Sequence, residues 1–78
     1  MFYTYILRSE KDGELYIGWA IDLKKRLLQH NNREVKATKD RLPLVLVYYE
    51  ACLSEEKAIS REKQLKTGFG RAYLKRRI

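Results

Sequence analysis

Leu15-Tyr-Ile-Gly-Trp-Ala-Ile-Asp-Leu-Lys-Lys-Arg-Leu-Leu-Gln-His30 is the stretch on which the rest of the chain turns. It reads as a strand running directly into a helix. Tyr16, Ile17 and Trp19 are strand formers, and Gly18 among them either admits a close neighbour or marks a bulge. Asp22 is placed to cap the helix that follows. On that helix Arg26 and His30 are four apart and share a face. They flank the apolar stripe of Leu23 and Leu27, which sets both at the margin of the core.

Working outward, Phe2-Tyr-Thr-Tyr-Ile-Leu7 is β-branched and aromatic and predicts a second strand. Asp12-Gly13 between them signals a tight turn. Pairing around a two-residue turn sets Tyr5 opposite Ala20 and Leu7 opposite Gly18, and puts Tyr3, Tyr5, Tyr16 and Gly18 on one face. Residues 31–42 read as a polar loop, whose Arg33, Lys36, Lys39 and Arg41 are either phosphate contacts or plain surface charges. Leu44-Val-Leu-Val-Tyr-Tyr49 is a continuous apolar run, which predicts a strand buried on both faces.

Ser54-Glu-Glu opens a second helix, expected to run to about Thr67 and stop at Gly68. Residues 71–77 then form a short basic helix or turn. In the second helix Ala58, Ile59 and Leu65 make the apolar stripe, and Glu62 falls in its middle. A carboxylate aimed at a core costs several kcal/mol unless it is paired, hydrogen-bonded or metal-bound. Two readings stand: an ion pair with Arg26 or Arg61, or a metal ligand.

Seventy-eight residues make one domain, 1–78, with a small core. The formal charge of +7 favours a polyanionic partner, most simply nucleic acid. Residues 61–78 hold +6 of that excess, either as a phosphate-binding tail or as a solubilising face. Cys52 is the single cysteine, so no disulfide forms within the chain, and a cytoplasmic location is expected. No apolar run reaches membrane length and no signal peptide is visible. One histidine and no thiol cluster exclude a zinc site of the usual kind. No glycine-rich phosphate loop is present.

Taken in order, these segments resemble the GIY-YIG nuclease superfamily, in particular its short stand-alone bacterial members. Tyr3-Thr4-Tyr5 stands in the place of the first motif, with Tyr and Thr where the family name has Gly and Ile. Tyr16-Ile17-Gly18 is the second motif at the expected separation. The segment Asp22 to His30 resembles the family's helix, with Arg26 as its key arginine. Leu42 to Glu50 and Arg61 to Lys66 resemble the later segments, with Glu62 as the metal-binding glutamate. An asparagine carried near the end by many active members has no match after Glu62.

The resemblance implies an α+β fold of the order β-β-α-β-α-α, a three-stranded antiparallel sheet flanked by helices. It also implies hydrolysis of DNA phosphodiester bonds with one divalent ion, Mg2+ or Mn2+. The implied site is Tyr5, Tyr16, Arg26, His30 and Glu62, with Glu62 on the metal. Lys66, Arg71, Lys75, Arg76 and Arg77 would contact the DNA backbone, which adds affinity but little sequence information. The expected role is structure- or damage-directed cutting in repair or recombination, with a protein partner as one source of specificity. The alternative is a nucleic-acid-binding module whose catalysis is weak or lost.

Overall fold

The computed structural model describes residues 1–78. Its elements are β1 (Phe2–Ser9), β2 (Leu15–Ala20), α1 (Leu23–Asn31), β3 (Leu44–Cys52), α2 (Glu55–Leu65) and α3 (Gly68–Lys75). The strands form one antiparallel sheet in the order β2-β1-β3, as the resemblance implied.

β1 is the strand buried on both faces: Thr4, Tyr5, Ile6 and Leu7 are each at most 2% exposed. The apolar run Leu44–Tyr49, expected to be that strand, is an edge strand instead, with Val45 and Tyr49 exposed. Composition misleads here because β1 carries hydroxyls into the interior, and each finds a partner. The Thr4 hydroxyl, for example, donates to the Ala58 carbonyl of α2 at 2.9 Å.

Alternation along β1 divides the core in two. On one face Tyr5 and Leu7 pack with Ala20 and Leu44, backed by Leu23 and Leu27 of α1. On the other, Ile6 packs with Leu65 of α2 and Leu74 of α3. Each such side chain is worth about 1.5–3 kcal/mol when fully buried. Asn31, at the end of α1, pairs with the first residue of β3: its amide accepts from Leu44 N at 3.2 Å and donates to Leu44 O at 3.4 Å. That fixes the helix against the sheet.

Three local expectations are corrected. The β1–β2 ladder pairs Tyr5 with Gly18 and Tyr3 with Ala20, two residues from the expected register. Ser9 is the cause: its hydroxyl accepts the amides of Lys11 and Asp12, widening the loop to residues 10–13. A two-residue slip preserves parity, so Tyr3, Tyr5, Tyr16 and Gly18 do share a face. Second, α2 stops at Leu65, and Gly68 begins α3 rather than ending α2. Thr67 makes the corner, its hydroxyl donating to Gln64 O and accepting from Gly70 N; Gly70 fits because a β-carbon there would collide with the Leu65 backbone. Third, the loop after α1 is not wholly solvent-facing, for Val35 and Thr38 are buried.

Candidate active site

β1 and β2 present Tyr5 and Tyr16 to the underside of α1, and α1 returns Arg26 and His30 one turn apart. Asp22 caps that helix by accepting from Lys25 N at 3.0 Å. The Tyr5 hydroxyl lies 2.7 Å from His30 Nε2, and Arg26 Nε donates to the same hydroxyl at 3.4 Å. The Tyr16 ring meets His30 edge-on at 5.2 Å between centroids, and Tyr5 meets His30 in the same way at 5.7 Å. His30 Nδ1 lies 2.7 Å from the Thr38 hydroxyl. Four residues named from the sequence are thus one cluster.

Their exposure differs. Tyr5 and His30 have no accessible surface, so His30 is inside the core rather than at its margin as expected. Tyr16 and Arg26 are partly exposed. Burial, helped by the Arg26 charge, pushes the His30 pKa down to about 4, and the imidazole is neutral at pH 7. Burial raises the Tyr5 phenol above its usual value. Arg26 opposes that rise, while the charges of Tyr16 and Glu62 add to it.

A neutral imidazole donates from one nitrogen and accepts at the other. The phenol is the more acidic hydroxyl and is polarised further by Arg26. The chain therefore runs Arg26 Nε–H to Tyr5 O, Tyr5 O–H to His30 Nε2, and His30 Nδ1–H to Thr38 Oγ1. Sequence reading missed Thr38. It sits in a loop of charged residues with no periodicity, and nothing local marks it as buried.

Glu62 lies on α2 between the buried Ala58 and Leu65, with its side chain 18% exposed. Neither expected ion pair forms. Arg61 is engaged by Glu50 at 2.8 and 3.0 Å, and Arg26 bonds Tyr5 and Gln29. The one cation near the Glu62 carboxylate is Lys66, at 3.7 Å and half exposed, which is a weak restraint. Glu62 is nevertheless near enough for its charge to act on Tyr5. No three His, Cys, Asp or Glu side chains cluster anywhere. A lone carboxylate suits a hard ion that keeps several waters and takes further oxygens from substrate. It does not suit zinc.

The basic candidates separate. Lys66, Arg71 and Lys75 line one groove, together with Arg8, which the sequence reading did not single out. Arg76 caps α3. Arg77 folds back, its guanidinium 3.6 Å from the Tyr73 ring centroid and Nη1 donating to Tyr73 O.

The family model described as the GIY-YIG catalytic domain matches residues 1–76. A UPF0213 protein of Staphylococcus saprophyticus is 46% identical over 66 residues, covering 83% of this chain and 79% of its own. A UPF0213 protein of Clostridium perfringens is 45% identical over 67 residues, 85% of this chain and 71% of its own. The solution NMR structure of a UPF0213 protein from Bacillus halodurans superposes with a TM-score of 0.58 at 32% identity, covering 95% of this chain and 82% of that one.

Proposed function

The chain belongs to the GIY-YIG nuclease family, and from that premise we propose that it is an endonuclease hydrolysing DNA phosphodiester bonds with one Mg2+ or Mn2+ ion. The observation that carries this is the Arg26–Tyr5–His30–Thr38 chain beside Tyr16, with the Glu62 carboxylate held only by a 3.7 Å pair to the half-exposed Lys66.

Exposure sorts the residues by task. Tyr16, Arg26 and Glu62 are reachable and are the groups that touch substrate. Arg26 Nε and Nη1 are held by Tyr5 and Gln29, which leaves Nη2 to grip a phosphate oxygen. Tyr16 orients the attacking water and takes its proton. Glu62 would hold the divalent ion, which supplies positive charge to the phosphoryl and leaving oxygens. Tyr5 and His30, sealed in the core, are positioning residues: they fix Arg26 and the Tyr16 ring in place. Action in repair or recombination in the cytoplasm, with a partner adding specificity, belongs to the same proposal.

The test is incubation with plasmid, branched and single-stranded DNA in Mg2+ or Mn2+. Glu62→Ala and Arg26→Ala should each abolish most cutting while the fold persists. If either variant cuts like the parent, the assigned site is wrong. The second reading, a binding module, is favoured by the absence of an asparagine after Glu62. It requires binding with no metal-dependent cleavage on any of the three substrates.

A further inference from the structure

On the sheet face opposite α1, with Tyr16 of the cluster at its rim, a groove of about 800 Å3 runs between the β1–β2 hairpin and the α2–α3 corner. Arg8 of β1 rises on one side, with Arg71 and Lys75, one turn apart on α3, on the other. None of these three makes an ion pair. Glu14 is the one acid in the lining. The floor is apolar, with Ile17 over the buried Leu65 and Leu74.

A second hollow lies further along β2. Leu15, Ile17 and Trp19 alternate in the strand and so share its face. At the far end Trp19 lines that hollow with Lys25, Arg26 and Gln29. β2 is an edge strand, and no other strand covers its outer side. Cations of β1 and α3, the aliphatic side chains and indole of β2, and the substrate-facing arginine of α1 therefore follow one another past this sheet edge. Leu15 to Trp19 spans about 13 Å, room for roughly four stacked nucleotides at 3.4 Å each.

We propose that this stripe seats a single-stranded segment of nucleic acid, running from the α3 groove along β2 to Arg26. A duplex turns its bases inward and offers only phosphates and sugars, which would leave the apolar floor wet. An unpaired strand offers both phosphates for the cations and base faces for Ile17 and Trp19. The inference rests on the nuclease reading for the direction of the strand toward Arg26, but binding is measurable without cleavage.

Trp19 is the single tryptophan and reports occupancy directly. The full chain is titrated in EDTA with a twelve-nucleotide oligo(dT) and with a hairpin duplex of equal length. Oligo(dT) should quench Trp19 emission and bind about tenfold tighter than duplex at moderate salt. Arg71→Ala with Lys75→Ala should weaken oligo(dT) binding and lower the salt slope by about 1.4. Lys57→Ala, exposed on α2 and lining neither hollow, should change neither. Circular dichroism establishes that the double variant is folded. Equal affinity for duplex, an unchanged Trp19 signal, or a folded double variant that binds like the parent each overturns the proposal. Quenching by oligo(dT) with no cleavage of any DNA upholds the strand seat and defeats the nuclease reading. Metal-dependent cutting without a Trp19 response does the reverse.

Discussion

The Tyr5 phenol occupies the space that a side chain on Gly18 would need: a β-carbon there would stand 2.6 Å from the Tyr5 hydroxyl oxygen and 2.7 Å from the carbon bearing it. The two residues are direct cross-strand partners. The glycine of the second motif is thus a steric requirement of the tyrosine of the first.

Gly18→Ala tests this. The phenol cannot swing aside cheaply, because it is fully buried and bonded to both His30 and Arg26. The expected loss is about 1–3 kcal/mol of stability, read by urea unfolding. Any cutting activity should fall further than stability alone requires, because the displaced hydroxyl releases Arg26.

Thr38→Val removes the acceptor of His30 Nδ1–H. A buried donor left alone costs about 1–3 kcal/mol. Nitrogen-15 shifts of His30 should show the Nδ1–H tautomer in the parent and in Thr38→Ser, and a mixture or a reversal in Thr38→Val. An unchanged tautomer in Thr38→Val would remove Thr38 from the network.

How far the sequence carried depended on whether a signal was local. Asp22 and Ser54 cap their helices as read, because a cap is decided within four residues. The hairpin register failed because Ser9, outside the Asp12-Gly13 signal, drew two loop amides to itself. β1 did not read as the central strand, because the partners that satisfy its Thr4 and Tyr5 hydroxyls lie 54 and 25 residues away. Glu62 stood out correctly as misplaced, yet its two candidate partners were otherwise engaged. Arg61 was taken by Glu50 of β3, which no helical wheel contains.

His30 makes acid stability predictable in sign. Its folded pKa, about 4, lies below the ordinary 6.5, so between these values the unfolded chain binds the extra proton. Stability is therefore complete above pH 6.5 and declines as pH falls toward 4, by about 3 kcal/mol in all. Asp12, held down to about 2 by Arg41, and Glu50, held low by Arg61, act only below the ordinary carboxylate range. Denaturant midpoints measured from pH 7.5 to 4.5 should show the slope in the parent, and His30→Asn should flatten it while lowering the plateau. The same slope in that variant would assign the effect elsewhere.

Tyr73 is held between two guanidinium groups, Arg61 at 4.6 Å and Arg77 at 3.6 Å from its centroid, and its hydroxyl meets Tyr48, which donates to Glu50. This latch fastens α3 to the sheet. Glu50→Ala leaves Arg61 without its carboxylate and should cost about 1–3 kcal/mol. Arg77→Ala should lower stability while leaving oligonucleotide affinity close to the parent's. A large loss of affinity with no loss of stability would return Arg77 to the nucleic-acid surface.

The two tyrosines of the cluster should fail differently. Tyr16 is partly exposed, so Tyr16→Phe should remove a proton acceptor from the water and lower kcat by about 10²–10⁴ with KM and the unfolding midpoint nearly unchanged. Tyr5 has no exposed surface, so Tyr5→Phe leaves His30 Nε2 and Arg26 Nε without a shared partner. It should cost about 1–3 kcal/mol of stability, and it should raise KM as Arg26 loses its orientation. Steady-state cleavage and urea unfolding on the same two proteins separate these outcomes. If Tyr5→Phe instead cuts kcat as deeply at unchanged KM and stability, the buried phenol is the one that reaches the water, and the cluster must open when substrate binds.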